Sequence, residues 1–153
     1  MAAIKTQGTN LYFVSSAAVK TLTCPTGITG LGGARDQIDS TCLSNIDDKT
    51  YVSGLGNPGQ VSVPFVFDPT AADQKLLYAL HDTGEIINWM IGFSDGSTVP
   101  TLVSGALTMA TTRSAASFDA FVADINIDVA TNEIVRGTLT LQRSGNVAWS
   151  WKA

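Results

Sequence analysis

The segment Gly92-Phe93-Ser94-Asp95-Gly96 has the G-x-S-x-G spacing of a nucleophile elbow, in which a serine on a sharp strand-to-helix turn attacks an acyl group with histidine as its base. The apolar alternation before it supplies a strand, but Ser97-Thr98-Val99-Pro100 starts no helix. The single histidine, His81, lies upstream, at the end of a helical pattern, where it complements the helix dipole. A hairpin turn on Asp95-Gly96 accounts for the match. Asp124-x-Asn126-x-Asp128 opens like a calcium loop, which needs Gly at its sixth position and Glu at its twelfth; Val129 and Val135 stand there instead. These three side chains read as alternate polar positions of a strand.

Gly27-x-x-Gly30-x-Gly32-Gly33 lacks the Gly-Lys-Ser/Thr ending of a phosphate loop and the spacing of a dinucleotide fingerprint, so turns or close packing explain it. Cys24, Cys42 and His81 are too few for a closed zinc site. Asp47-Asp48, beside Lys49 in a polar stretch, form a solvated or interfacial charge cluster rather than an acid/base pair. The residues therefore predict no enzyme, no metal and no cofactor.

The elements that carry these residues are mostly strands. Val61, Val63, Phe65 and Phe67 alternate with Gln60, Ser62 and Pro64; Ile87, Trp89, Ile91 and Phe93 do so with Asn88, Met90 and Gly92. Val103, Leu107 and Met109 read as one strand face. Phe121, Ala123, Ile125 and Ile127 oppose Val122, Asp124, Asn126 and Asp128. Arg136, Thr138, Thr140 and Gln142 form the polar side of a strand bearing Leu139 and Leu141, and Val147, Trp149 and Trp151 share a last face. Asn132-Glu133 and Ser144-Gly145-Asn146 mark turns. One helix is predicted over about residues 69–82, with Asp68 as its cap, Pro69 in the first position, Ala72, Leu76, Leu77 and Leu80 as the apolar stripe and Gly84 as the stop. The fold class is mainly β, a sandwich or barrel of two packed antiparallel sheets with one flanking helix. A long loop over about 40–59 lies within the weakly patterned stretch from Cys24 to Gln60; such loops are functional or order against a partner.

The 153 residues suit one domain, residues 1–153, and 44% of them are apolar. Only 14% are charged, against roughly 25% for an ordinary soluble domain, so surface hidden against copies of the chain is expected. The net charge of −4 argues against gripping nucleic acid through phosphates. Residues 1–35 carry Lys5, Lys20 and Arg35 and no acid, whereas 36–95 carry nine acids against Lys49 and Lys75. Such asymmetry suits a head-to-tail contact, or simply a solvated surface. Leu11 to Val14 is too short an apolar run for a signal peptide or a membrane span, and no Asn-x-Ser/Thr acceptor occurs. An intracellular protein with Cys24 and Cys42 as free thiols is expected.

Ile28-Thr29-Gly30-Leu31-Gly32-Gly33, Asp36-Gln37-Ile38-Asp39-Ser40-Thr41-Cys42-Leu43, Lys49-Thr50-Tyr51-Val52-Ser53-Gly54-Leu55, Gly59-Gln60-Val61-Ser62-Val63 and Phe67-Asp68-Pro69 follow in an order that resembles the tail tube proteins of long-tailed bacteriophages. Phe118-Asp119-Ala120-Phe121-Val122 and Asn132-Glu133-Ile134 leading to Thr138-Leu139-Thr140-Leu141-Gln142 resemble the closing strands of that family. The likeness runs from about residue 8 to 152.

The resemblance implies a structural virion protein that assembles, in the phage tail and inside the host bacterial cytoplasm, into hexameric rings stacked as a tube. Its implied partners are copies of itself, the tape-measure protein, tail-tip and tail-terminator proteins, and double-stranded DNA that passes without specific binding; no membrane is involved. Ser44 to Gly59 would make much of the contact between subunits. Candidate interface residues are Lys5, Arg35, Asp36, Asp39, Leu43, Ile46, Asp47, Asp48, Lys49, Tyr51 and Leu55; candidates for the lumen are Asp124, Asn126, Arg136, Thr138 and Gln142, polar-face residues that suit the outer surface equally. Three other readings stay open. One is a type VI secretion tube protein, and another a tail terminator of similar fold. The third is a monomeric carbohydrate-binding sandwich that stacks sugars on Trp89, Trp149 or Trp151; Trp89 reads equally as core, and the terminal pair as packed on a sheet face.

Overall fold

The computed structural model describes residues 3–153. Ten strands and one helix follow in the order β1 (Asn10–Ser15), β2 (Ala18–Thr21), β3 (Arg35–Asp39), β4 (Tyr51–Gly56), β5 (Gln60–Val66), α1 (Ala72–Thr83), β6 (Ile87–Gly92), β7 (Thr101–Val103), β8 (Ala106–Thr108), β9 (Ala115–Asp128) and β10 (Arg136–Ser150). The mainly β class with one helix holds. Its layers, however, are not two sheets. Six strands form one antiparallel sheet in the order β2-β1-β6-β9-β10-β5, and β3-β4 and β7-β8 are separate two-stranded ribbons.

This sheet is curled, and the chain itself shows how far. Leu22 donates its N–H to Leu11 of β1 at 2.9 Å, and two residues later the carbonyl of Cys24 accepts from Val66 of β5 at 3.1 Å. Two residues span at most about 7 Å, yet β1 and β5 would stand about 19 Å apart in a flat sheet with three strands between them. The edges must therefore approach, and residues 22–29 bridge them; Pro25 and Thr29 continue the pairing opposite Phe65 and Ser62. Gly30 lets this segment lie flat on β5: its φ is +99°, and a Cβ there would sit 2.0 Å from the carbonyl oxygen of Gln60.

Inside the curl lies the main core of Leu11, Phe13, Val61, Val63, Phe65, Leu77, Trp89, Ile91, Phe118, Val122, Leu139 and Leu141. Trp89 is fully buried, with its indole N–H donated to the carbonyl of Ala120 at 3.1 Å. The expected alternation breaks at Ala123. Thr140 pairs with Asp124 but Leu141 pairs with Val122, so Ala123 is an extra residue in β9, a bulge. Before it, Phe118, Ala120 and Val122 face the core; after it, Ile125 and Ile127 do. Phe121 is consequently on the opposite face from Ile125, contrary to the plain alternation.

A second bulge, between Ser144 and Ala148, lies where the sequence suggested a turn between strands. The face expected for Val103, Leu107 and Met109 also divides. The chain reverses at Ser104-Gly105, both at positive φ, and the β7-β8 hairpin covers the outer side of β1 and β6, where Tyr12, Met90, Leu107 and Met109 form a smaller cluster.

The helix starts at Ala72, not Pro69. Asp68 does not cap it; its carboxylate accepts the N–H and hydroxyl of Thr70 at 2.9 and 2.7 Å, closing a turn just ahead of the helix. Buried Gln74 then ties the first turn down, donating to the carbonyls of Thr23 and Val66 and accepting from the N–H of Asp68. Gly84 ends the helix as expected, its N–H returning to the carbonyl of Leu80. Among the described residues, no helix is long and apolar enough to cross a membrane.

Candidate assembly surfaces

Most of the weakly patterned stretch is a hairpin, not a loop. β3 and β4 pair antiparallel from Arg35 opposite Gly56 to Asp39 opposite Tyr51, and Ser40 donates to the carbonyl of Thr50 at 2.9 Å beyond them. The β-branched and aromatic residues Ile38, Tyr51 and Val52 favour this extended pairing. What remains irregular is the tip, residues 41–49. Nearly the whole ribbon stands in solvent, and Ile46 and Leu55 keep 91% and 85% of their surface. An isolated two-stranded ribbon is marginal in water. Ten of the eleven candidate interface residues lie on this arm: Arg35, Asp36, Asp39, Leu43, Ile46, Asp47, Asp48, Lys49, Tyr51 and Leu55. The hydroxyl and N–H of Thr41 hold the Asp39 carboxyl below its usual range.

The arm leaves the body at Asn57, whose N–H donates to the carbonyl of Ala34 at 2.9 Å. Directly beneath is Arg143, only 4% exposed on β10. Its Nη2 donates to the carbonyls of Gly32 and Pro58, and its Nε is buried without a partner. Burial pushes this guanidinium below its ordinary value.

Lys5 sits elsewhere, on the amino-terminal segment, where its carbonyl accepts the hydroxyl of Ser94. This segment borders a groove of about 930 Å³, lined by Ile4, Pro25, Ile28, Ile91 and Phe93 among others. From Phe93 an aromatic ladder runs outward: Trp149 stacks on it at 6.0 Å between centroids, and Trp151 stacks on Trp149 at 5.3 Å. A sugar platform needs a free ring face. Trp89 has none, and Trp149 is sandwiched, which removes two of the three proposed platforms.

The G-x-S-x-G segment is a packing device. Arg113, 1% exposed, donates all five of its N–H groups: to the carbonyls of Gly8, Gly92, Phe93 and Thr98 and to the hydroxyl of Tyr12. A Cβ on Gly92 would come within 2.7 Å of its guanidinium carbon, and one on Gly96 within 2.5 Å of the Thr112 carbonyl. Both positions must be glycine for the arginine to fit. β6 pairs with β1 and β9, so the turn at Asp95-Gly96 closes no hairpin. Asp95 accepts the N–H of Ser114 at 3.0 Å, and the hydroxyl and N–H of Ser114 lower its carboxyl.

The five candidate lumen residues come together on one face. Register pairs Arg136 with Asp128, Thr138 with Asn126, Thr140 with Asp124 and Gln142 with Phe121, and partners across antiparallel strands share a face. This face is turned away from Leu139 and Leu141 and is exposed or half-buried. Beside it, the second edge of β9 from Phe121 to Asp128 has no strand partner among the described residues.

A solvent-exposed ribbon bearing apolar side chains and an unpaired strand edge fit a subunit built for self-association. The family model described as "Phage tail tube, TTP, lambda-like" matches residues 2–153. This chain belongs to that family. It is a structural protein of the phage tail and not an enzyme. Structural protein 3 of Pseudomonas phage PAJU2 is 32% identical to it over 149 residues, with 93% of this chain and 90% of the relative covered. The fold is also similar to the SPP1 tail tube, at a TM-score of 0.70 and 12% identity over 97% of this chain and 80% of that one. It resembles as well the tail of an empty gene transfer agent particle, at 0.70 and 13% over 96% and 98%.

Sequence reasoning missed two buried arginines of this tail tube protein. Arg143 carries a legible signal, because it continues the inward parity of Leu139 and Leu141. Arg113 carries none: the groups that hold it come from residues 8, 12, 92, 93 and 98.

Proposed function

We infer that this tail tube protein, as one domain over residues 1–153, closes into six-membered rings that stack head to tail into the tail tube. The arm is the observation that carries this reading: a ribbon with Leu43, Ile46 and Leu55 in solvent gains its stability from a neighbouring copy. The sixfold symmetry of the gene transfer agent tail supports the ring size. The unpaired edge of β9 is a strand surface that a ring of copies would pair, removing the edge. Lys5 lies off the arm, so its contact with the arm's acids is one between copies.

The polar face of β9 and β10, with Asp124, Asn126, Arg136, Thr138 and Gln142, lines the lumen. Its two acids, Asp124 and Asp128, against Arg136 leave it weakly negative, which keeps DNA phosphates from adhering as the duplex passes. The tube encloses the tape-measure protein before DNA exit, meets tail-tip and terminator proteins at its ends, and is assembled in the bacterial cytoplasm. The test replaces Arg35–Gly56 by two glycines, since Ala34 and Asn57 are already hydrogen-bonded neighbours. A folded, soluble monomer with no tubes under negative stain is expected; tubes of normal diameter from this variant would overturn the assignment.

A further inference from the structure

A pocket of about 300 Å³ opens at the base of the arm, between Arg35, Asn57, Arg143, Asn146 and the backbones of Gly33 and Gly56. Two arginines line it and no acid does; the Arg35 guanidinium donates to the carbonyl of Gly54 at 3.4 Å. Among the described residues, the only ion pair within 4.0 Å is His81 with Asp82, so neither arginine has a carboxylate partner. For Arg143 this is costly. A buried cation that donates only to two carbonyls, with a buried Nε unmatched, lacks the anion that would compensate its desolvation. Guanidinium forks match the planar, two-oxygen geometry of a carboxylate.

The arm carries such groups at its other end. Asp47 and Asp48 are adjacent, exposed and without a cationic partner. They do not fold back into the pocket of their own chain. The ladder from Arg35–Gly56 to Ser40–Thr50 holds the tip about 17 Å from the base, at about 3.3 Å per residue. The geometry points to the pocket formed by Arg35 and Arg143 as a carboxylate receptor for the Asp47-Asp48 tip of a second copy, so that each arm's base receives the next arm's tip. This rests on the self-assembly reading above and gives it a specific contact: a heterologous one, which propagates around a ring or along a stack.

The cross-linking positions are chosen to leave every charge in place. In the full chain with Cys24→Ser and Cys42→Ser, Asn45→Cys marks the tip and Asn146→Cys the rim of the pocket. A short bismaleimide is added to the assembled protein, and multimers are read on a denaturing gel. A ladder of linked copies is expected, with Asp47→Asn/Asp48→Asn lowering its yield at least tenfold. Tubes that form without a ladder, or a ladder indifferent to the two Asn substitutions, would overturn the receptor while leaving the tube reading intact. A protein that stays monomeric at every concentration, in the parent as in the variants, would overturn both.

Discussion

The guanidinium of Arg113 reaches the carbonyl oxygen of Gly8, 105 residues earlier in the chain, at 2.9 Å. With its other four donors placed on Tyr12, Gly92, Phe93 and Thr98, this side chain joins the amino-terminal segment, the start of β1, the end of β6 and the loop after it. Arg113→Ala would leave four carbonyls and a hydroxyl without a donor, each unsatisfied group costing about 1–3 kcal/mol, partly offset by relief of the buried charge. A net loss of about 2–4 kcal/mol is expected in urea unfolding, and Tyr12→Phe, which removes one bond, should cost about 1 kcal/mol. Equal stability of Arg113→Ala and the parent would show that the five bonds are not a structural tie.

Gln74 makes the corresponding tie for the helix. Gln74→Leu keeps the apolar volume but strands the carbonyls of Thr23 and Val66 and the N–H of Asp68. A loss of about 2–3 kcal/mol is expected, with far-UV circular dichroism otherwise unchanged. The measurement is the denaturant midpoint at constant m-value.

Asp68 gives a pH signature. The hydroxyl and N–H of Thr70 depress its carboxyl in the folded protein. A depressed folded value means that this stabilisation is complete above the ordinary carboxylate range, near pH 4, and is lost as pH falls through the lower folded value. Asp68→Asn should therefore lower stability at pH 7, and its gap from the parent should narrow steadily below about pH 4. A gap that stays constant down to pH 2 would contradict the turn's dependence on the charged carboxylate.

Deleting Ala123 tests the bulge. Without it, Val122–Leu141 and Asp124–Thr140 become consecutive pairs of a regular ladder, in which Val122, Ile125 and Ile127 keep facing the core and Asp124 keeps facing out. A folded protein is therefore expected from the deletion, as from Ala123→Ser. Insoluble or molten protein from the deletion variant, in place of dispersed amide resonances, would show that Ala123 holds an ordinary ladder position and refute the register.

The lumen assignment predicts a gain of binding. Assembled tubes of Asp124→Lys/Asp128→Lys should retain short duplex DNA at low salt and release it steeply as salt rises, where parent tubes retain none. Filter retention across a salt series reads this out. Variant tubes that hold no more DNA than the parent would place these residues away from the channel.

Legibility in the sequence followed the range of the interactions. β5, β6 and the α1 stripe are readable from Val61-Val63-Phe65, Trp89-Ile91 and Leu77-Leu80, because burial of alternate or helically spaced side chains leaves its period in the chain. The helix start misleads, since Asp68 bonds Thr70 two residues on rather than a helical N–H. Ala123 misleads for another reason. A bulge is defined against its partner strand, and nothing in Phe121-Val122-Ala123 announces which residue is the extra one. The weak pattern of residues 35–56 hid two strands because a ribbon exposed on both faces has no reason to alternate.

The sequence by itself determined the mainly β class, the single helix and its stop at Gly84, the core placement of Trp89, and the polar face shared by Asp124, Asn126, Arg136 and Thr138. All of these depend on near neighbours and on simple periods. Only the tertiary structure decided that one sheet curls until residues 22–29 join β1 to β5, that Gly92 and Gly96 serve Arg113 rather than a catalytic serine, and that Arg35 and Arg143 share a pocket. Those depend on groups separated by dozens of residues, whose approach is set by the closure of the whole sheet and leaves no period along the chain.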